Sequence, residues 1–376
     1  MDHELLKIVW WLLIGLMLIG FMLGESLDVG ARVLVPWLSG RSGEPLQQAP
    51  AAPAHINLLW LLALGGTLAL VWPALGGLAC LVTGLVGLLV LLRRSAWQAA
   101  RPRAWRVLAI GLLPAALLGG MLGNLLLGLP FSRCGQAGMQ FHGTVGGLFS
   151  PFALLAGVVS LTMVCQFGAT WVVQRGGRSL YQSASRVAGA AGVMFLASFI
   201  VAAIWLAANA RGYSVWAVER HATLCGLGVW VVLADNPGWL DNFQAWPAAG
   251  LAPVLALAGT VMSLFACANA RSGLALLGSG LTVGATLCSV GFALFPFILP
   301  SSVQVSASMT LWSAASDERT LGTLLILASV LLPMLLAYTL GVSLKGSQLL
   351  IVPSKRVEKR QQRHAPSSIH GDHRIA

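Results

Sequence analysis

The sequence predicts an all-α integral membrane protein, a polytopic bundle of about nine transmembrane helices, on three observations. Hydrophobic residues make up 57% of the 376 and charged residues only 9%, which leaves too little polar surface to cover a soluble domain. Apolar runs of the roughly 20 residues that a bilayer crossing needs recur at 6–24, 56–73, 76–92, 106–129, 146–173, 187–208, 249–270, 273–298 and 321–343. No Asp or Glu occurs between Glu44 and Glu219, so the runs in that interval carry no acid into the membrane.

Taken in order, the opening MDHELLKIVWWLLIGLMLIGFMLG has acids in its first residues and no small-residue cleavage site before Glu25. It reads as a retained first span rather than a secretory leader. The second and third runs are separated only by WPALGG, where Trp72 suits the interface and Pro73 with two glycines permits a tight turn. Asn124 and Gln166 lie in the fourth and fifth runs beside Gly119, Gly123 and Gly168, and such amides are expected to hydrogen-bond across close helix contacts. The stretch 211–247, rich in Trp and short of charge, is expected to lie against the membrane surface. In FPFILPSS, Pro296 and Pro300 end the eighth run. Ser301 and Ser302 are then expected to bond the freed backbone groups, and VQVSASMTLW to follow the interface with Trp312 as an anchor. Ser316 reads as the N-cap of the last span, with Asp317 and Glu318 in its first turn.

With these spans, eighteen of the 23 Lys and Arg residues fall on one face and five (Lys7, Arg133, Arg211, Arg220 and Arg319) on the other. The positive-inside rule puts the basic face in the cytoplasm, the N-terminus outside and the C-terminus inside. The net charge of +11 therefore reads as topology, and no nucleic-acid motif occurs. The transmembrane domain is placed at 1–345; the tail 346–376 is basic, polar and read as disordered and touching lipid. The six cysteines show neither CxxC nor zinc spacing. Four lie in apolar runs and read as small core residues. Cys134 and Cys225 both fall in outer loops, where a disulfide is allowed chemically, but the sequence does not show that these loops meet.

Intramembrane ionisable groups are costly and are where function is sought first. Glu25 and Asp28, three residues apart, share a helical face if the first helix continues. Two readings stay open for them: inward proton transfer, or an i,i+4 pair of Asp28 with Arg32. His55 opens the second span and His142 precedes the fifth on the opposite side of the membrane. A haem held by two histidines needs both at one depth, so this pair does not supply one, and no catalytic residue is placed in this chain.

LLKIVWWLLIGLMLIGFMLGESLDVG, GNLLLGLPF, SPFALLAGVVSLTMVCQFGATW and FPFILPSSVQVSASMTLWSAAS, in that order along 5–343, resemble subunit II of the cytochrome bd-type quinol oxidases, including the cyanide-insensitive branch. The resemblance implies a two-subunit respiratory oxidase of the bacterial cytoplasmic (inner) membrane, with this chain's N-terminus periplasmic and its C-terminus cytoplasmic. Such an enzyme takes electrons from quinol and reduces oxygen to water. It further implies that the haems and the quinol-oxidising loop belong to a haem-bearing subunit I. Subunit II then holds that partner, has room for a bound quinone and, in some members, lines a proton path from the cytoplasm. Residue by residue, ESLD places Glu25 and Asp28 at the two acids of the family's first-span element. PAHIN places His55 where the family has an acid and matches Asn57, and Arg93 fits the arginine after the third span. The implied proton path is thus Glu25, Asp28, His55 and Arg93, with an acid lost at His55.

Two other readings fit the same composition. A secondary transporter also has many glycine-packed spans, but it is expected to break helices near the midplane. Here Pro73, Pro296 and Pro300 fall at span edges and Pro114 is the proline placed inside a span. A diverged oxidase subunit that keeps only the scaffold is the other.

Overall fold

The computed structural model describes residues 3–35, 37–38, 54–98, 104–133, 139–144, 146–175, 177–209, 212–219, 228–234 and 238–346. Among them nine long helices form the bundle: α1 (His3–Val29), α2 (Ala54–Val71), α3 (Gly76–Gln98), α4 (Ala104–Leu127), α5 (Pro151–Arg175), α6 (Gly177–Asn209), α7 (Leu251–Ala268), α8 (Ser272–Leu294) and α9 (Glu318–Gly346). Eight helical segments are long and apolar enough to cross a membrane; α2 contributes the shorter apolar stretch Ile56–Val71. Its 18 residues rise about 27 Å, close to the roughly 30 Å hydrocarbon thickness.

Each expected span contains a helix, with altered ends. The first is longer than 6–24: α1 runs on through a π-helical turn, Gly30–Leu34, giving a continuous segment from His3 to Leu34. The hydropathy run stops where Glu25 and Asp28 begin, whereas the backbone continues because both carboxylates find buried partners. The eighth stops early, at Leu294 rather than 298. Pro296 removes an amide donor and obstructs the carbonyl four residues back, and Asn242 Nδ2 donates to that carbonyl, Phe292 O, at 2.9 Å. Pro333 joins Pro114 as a proline inside a helix.

α1 and α5 form the centre. α5 packs against α4, α6, α8 and α1, and α1 also meets α2, α8 and α9. The best apolar window of α5 is 67% buried against 22% for α6 and 17% for α9, so the last two present most of their surface outward. Glycine sets the α1–α5 spacing: a Cβ on Gly30 would sit 2.6 Å from Gly168 O. Gly119 and Gly123 do the same for α4 against α5, the close approach expected of small residues.

Three short antiparallel strand pairs cap one end: β1 (Phe131–Arg133) with β2 (Met139–Phe141), β3 (Gly212–Glu219) with β4 (Gly228–Ala234), and β5 (Phe297–Leu299) with β6 (Met309–Thr310). The segment 211–247 thus contains a hairpin, and Trp239 is a buried anchor whose indole N–H donates to Leu126 O at 2.8 Å. The residues after FPFILPSS also turn inward. Ala307, Met309, Thr310 and Leu311 are buried, and Ser301 is fully buried. Ser301 Oγ accepts from Gln304 N at 3.1 Å and donates to Phe131 O. Ser301 therefore fastens this segment to β1, while Asn242 takes the carbonyl freed by Pro296.

At α9, Asp317 rather than Ser316 caps the helix. Its carboxylate accepts from Thr320 N at 3.2 Å and Thr320 Oγ1 at 2.7 Å. Ser316 is drawn to the end of α2, its Oγ donating to Leu70 O at 2.7 Å and its N–H to Val71 O at 2.9 Å. Of the four cysteines read as core, Cys267 is buried and Cys165 partly so, whereas Cys80 and Cys288 are exposed on outward faces. The Cys134–Cys225 pairing and the tail beyond Gly346 lie outside the described residues.

Candidate functional site

Near the end of α1, a helical face that would otherwise be apolar carries Glu25, Ser26 and Asp28, all buried. Ser26 Oγ donates within the helix, to Met22 O at 2.7 Å, while the partners of the two carboxylates come from three further segments. Arg93, on α3, lies between both carboxylates. Its Nη1 donates to Glu25 Oε1 at 2.5 Å and to Gly111 O of α4 at 3.1 Å, and its Nη2 donates to Glu25 Oε2 at 3.0 Å and to Asp28 Oδ2. Asn57 Nδ2, from α2, donates to Glu25 Oε2. Arg32, within the π-helical turn, donates through Nε to Asp28 Oδ1. Glu25 is 0%, Arg93 1%, Asp28 2%, Asn57 3% and Arg32 5% exposed.

Two carboxylates and two guanidinium groups make this cluster electrically neutral, the condition under which buried charge is tolerated. Arg93 suits its position because a planar fork of donors serves two acids and a carbonyl at once. The i,i+4 pair of Asp28 with Arg32 is present, but it is one edge of a network rather than an isolated contact at a helix end. Two polar atoms at the cluster, Asn57 Oδ1 and Arg93 Nε, have no hydrogen-bond partner among the described residues.

Of the residues read from the sequence as a path, Glu25, Asp28 and Arg93 come together here. His55 lies in the first turn of α2, two residues before Asn57; its side chain is outside the described residues. Gly111 O was not legible in the sequence, since any backbone carbonyl can accept. His142 stands at the strand-capped end, its Nε2 2.6 Å from Ser132 Oγ and exposed, and among the described residues no group of three or more His, Cys, Asp or Glu gathers. Asn124 finds a partner outside the helix contact: its Nδ2 donates at 2.7 Å to Leu148 O, in the 3-10 turn Gly146–Phe149 that precedes α5. Gln166 differs: it is fully buried against Gly192 and Leu264, and neither its Oε1 nor its Nε2 has a partner among the described residues. A shallow groove on α4 and α5 is lined by Leu108, Ala109, Leu112, Leu113, Ala116 and Leu161, side chains that suit an acyl chain.

The fold and this cluster define a class: a polytopic helical membrane protein with a neutral, multi-helix ion cluster buried at one end. Comparison with known proteins makes the class specific. Residues 6–342 match the family described as cytochrome bd terminal oxidase subunit II. The chain is 30% identical over 353 residues to cytochrome bd-I ubiquinol oxidase subunit 2 of Escherichia coli, covering 90% of this chain and 93% of that one. It is 31% identical over 363 residues to the probable cytochrome oxidase subunit 2 of Haemophilus influenzae, with the same coverage of 90% and 93%. Among solved structures, the bd oxidase from Geobacillus thermodenitrificans shares the fold, with a TM-score of 0.58 at 17% identity over 95% of this chain and 98% of that one. The chain belongs to the cytochrome bd terminal oxidase subunit II family.

Proposed function

We propose that this chain is the second, haem-free subunit of a cytochrome bd-type quinol:oxygen oxidoreductase in the bacterial cytoplasmic membrane. It binds a haem-bearing subunit I in which quinol is oxidised and oxygen reduced. The observation that carries the reading is the family match across 6–342. The eighteen-to-five asymmetry of basic residues supports an N-terminus outside and a cytoplasmic C-terminus, with 1–345 as the membrane domain and 346–376 as its tail. Purification through this chain tests the reading: haem absorption arriving with a second subunit is expected, and a colourless single chain overturns it.

Within that role we assign the cluster to proton uptake from the basic side. His55 receives protons at the mouth of α2, a task open to imidazole because its ordinary pKa is near 6.5. Glu25 and Asp28 are the carboxylates of the route, and Arg93 bridges them. Neutrality and near-zero exposure favour a second role for the same residues, an electrostatic latch joining α1, α2, α3 and α4. The isosteric variants E25Q and D28N separate the two roles. A relay predicts assembled complex with slowed turnover, whereas a latch predicts loss of assembly with unchanged turnover per complex.

A further inference from the structure

At the end of the bundle opposite the strand caps, two exposed arginines stand at one corner: Arg186 on α6 and Arg271 in the turn between α7 and α8. Their proximity follows from the antiparallel packing of α6 and α7. Tyr181 Oη donates to Cys267 O at 3.3 Å, and Ser185 hydrogen-bonds the Cys267 side chain, so Arg186 lies beside the end of α7 and Arg271 follows four residues later. Among the described residues no carboxylate neutralises them. The sequence has no Asp or Glu from 45 to 218 or from 242 to 316.

Just inside this corner the α6–α7 seam opens. Gly189, three residues beyond Arg186 and on its face, has nothing within 4 Å of the position a Cβ would occupy. One turn deeper the seam is closed at Gly192 by Leu264 and Gln166. The notch is flanked by outward apolar side chains, Val193 at 58% exposed on α6 and Phe265 at 67% on α7. A doubly cationic corner over an apolar notch matches one kind of occupant, with a phosphate head and a hydrocarbon tail.

We propose that this corner binds an anionic phospholipid, its phosphate between Arg186 and Arg271 and one acyl chain laid over Gly189. Removing both charges forfeits about 1 kcal/mol for each basic residue near an anionic headgroup, which is roughly thirtyfold in lipid affinity. The test is native mass spectrometry of the purified protein, with the subunit that accompanies it, from nanodiscs of mixed phosphatidylglycerol and phosphatidylcholine. The wild type retains phosphatidylglycerol preferentially; R186Q/R271Q loses that preference, and R186K/R271K keeps most of it. G189L, which fills the notch and leaves both charges in place, also weakens retention. Equal retention of the two lipids by the wild type, or unchanged retention in R186Q/R271Q, overturns the proposal. So does unchanged retention in G189L, or displacement of the lipid by inorganic phosphate alone, which would assign the corner to a free anion.

Discussion

Replacing Arg93 by Met removes the one side chain that touches both acids of the buried cluster. Asp28 keeps Arg32, but among the described residues Glu25 is left with Asn57 alone, a carboxylate that is 0% exposed and has lost the arginine it was paired with. Removing one partner of a buried ion pair costs about 3–5 kcal/mol, because the other charge remains uncompensated. At about 2 °C per kcal/mol for a chain of this size, the apparent unfolding midpoint of the detergent-solubilised protein falls by roughly 6–10 °C. The double variant E25Q/R93M removes both charges and recovers much of the loss. Arg93→Lys, which keeps the charge but not the fork, falls between. The assay is a thermal scan followed by size-exclusion chromatography. The electrostatic account fails if R93M melts within about 2 °C of wild type, below the cost of an uncompensated buried charge. It also fails if the double variant is no better than the single.

Three further outcomes follow from other sites. His55→Ala leaves assembly intact and lowers oxygen consumption by the purified complex; an unchanged rate removes His55 from the proposed proton route. Gly30→Ala places a Cβ 2.6 Å from Gly168 O, an overpacked backbone contact costing about 1–3 kcal/mol, readable as a lower melting midpoint. Asp317 is held below its ordinary carboxylate value by its hydrogen bonds from Thr320. Its contribution to the start of α9 is therefore complete above the unfolded value and lost as pH falls through the folded one. Hydrogen exchange in the first turn of α9 should quicken on acidification in wild type and show no such step in D317N.

Much of the bundle was legible because span length is a one-dimensional property: a bilayer demands a run of apolar residues, and each run can be read without its neighbours. Ends were less legible because they depend on partners. α1 continues past Glu25 since Arg93, 68 residues away, compensates the acid. Asp317 displaces Ser316 as the cap since the end of α2 takes the serine's hydroxyl. The loop from FPFILPSS onward turned inward because Ser301 meets Phe131 O across 170 residues, a contact that no local pattern announces. Gln166 failed in the other direction: an amide beside glycines was expected to find a partner, and the apposed surface of Gly192 and Leu264 offers none.

By itself the sequence determined that this is a polytopic helical membrane protein, where its spans lie, and, through its ordered motifs, the oxidase family it belongs to. Apolar length and composition suffice for the first two, and motif order for the third. Only the tertiary structure decided that Glu25, Asp28, Arg32, Asn57 and Arg93 form one neutral cluster drawn from α1, its π-helical turn, α2 and α3. Charge pairing in a low-dielectric interior is a property of distance in space, and helices far apart in the chain must pack before any acid can meet its base.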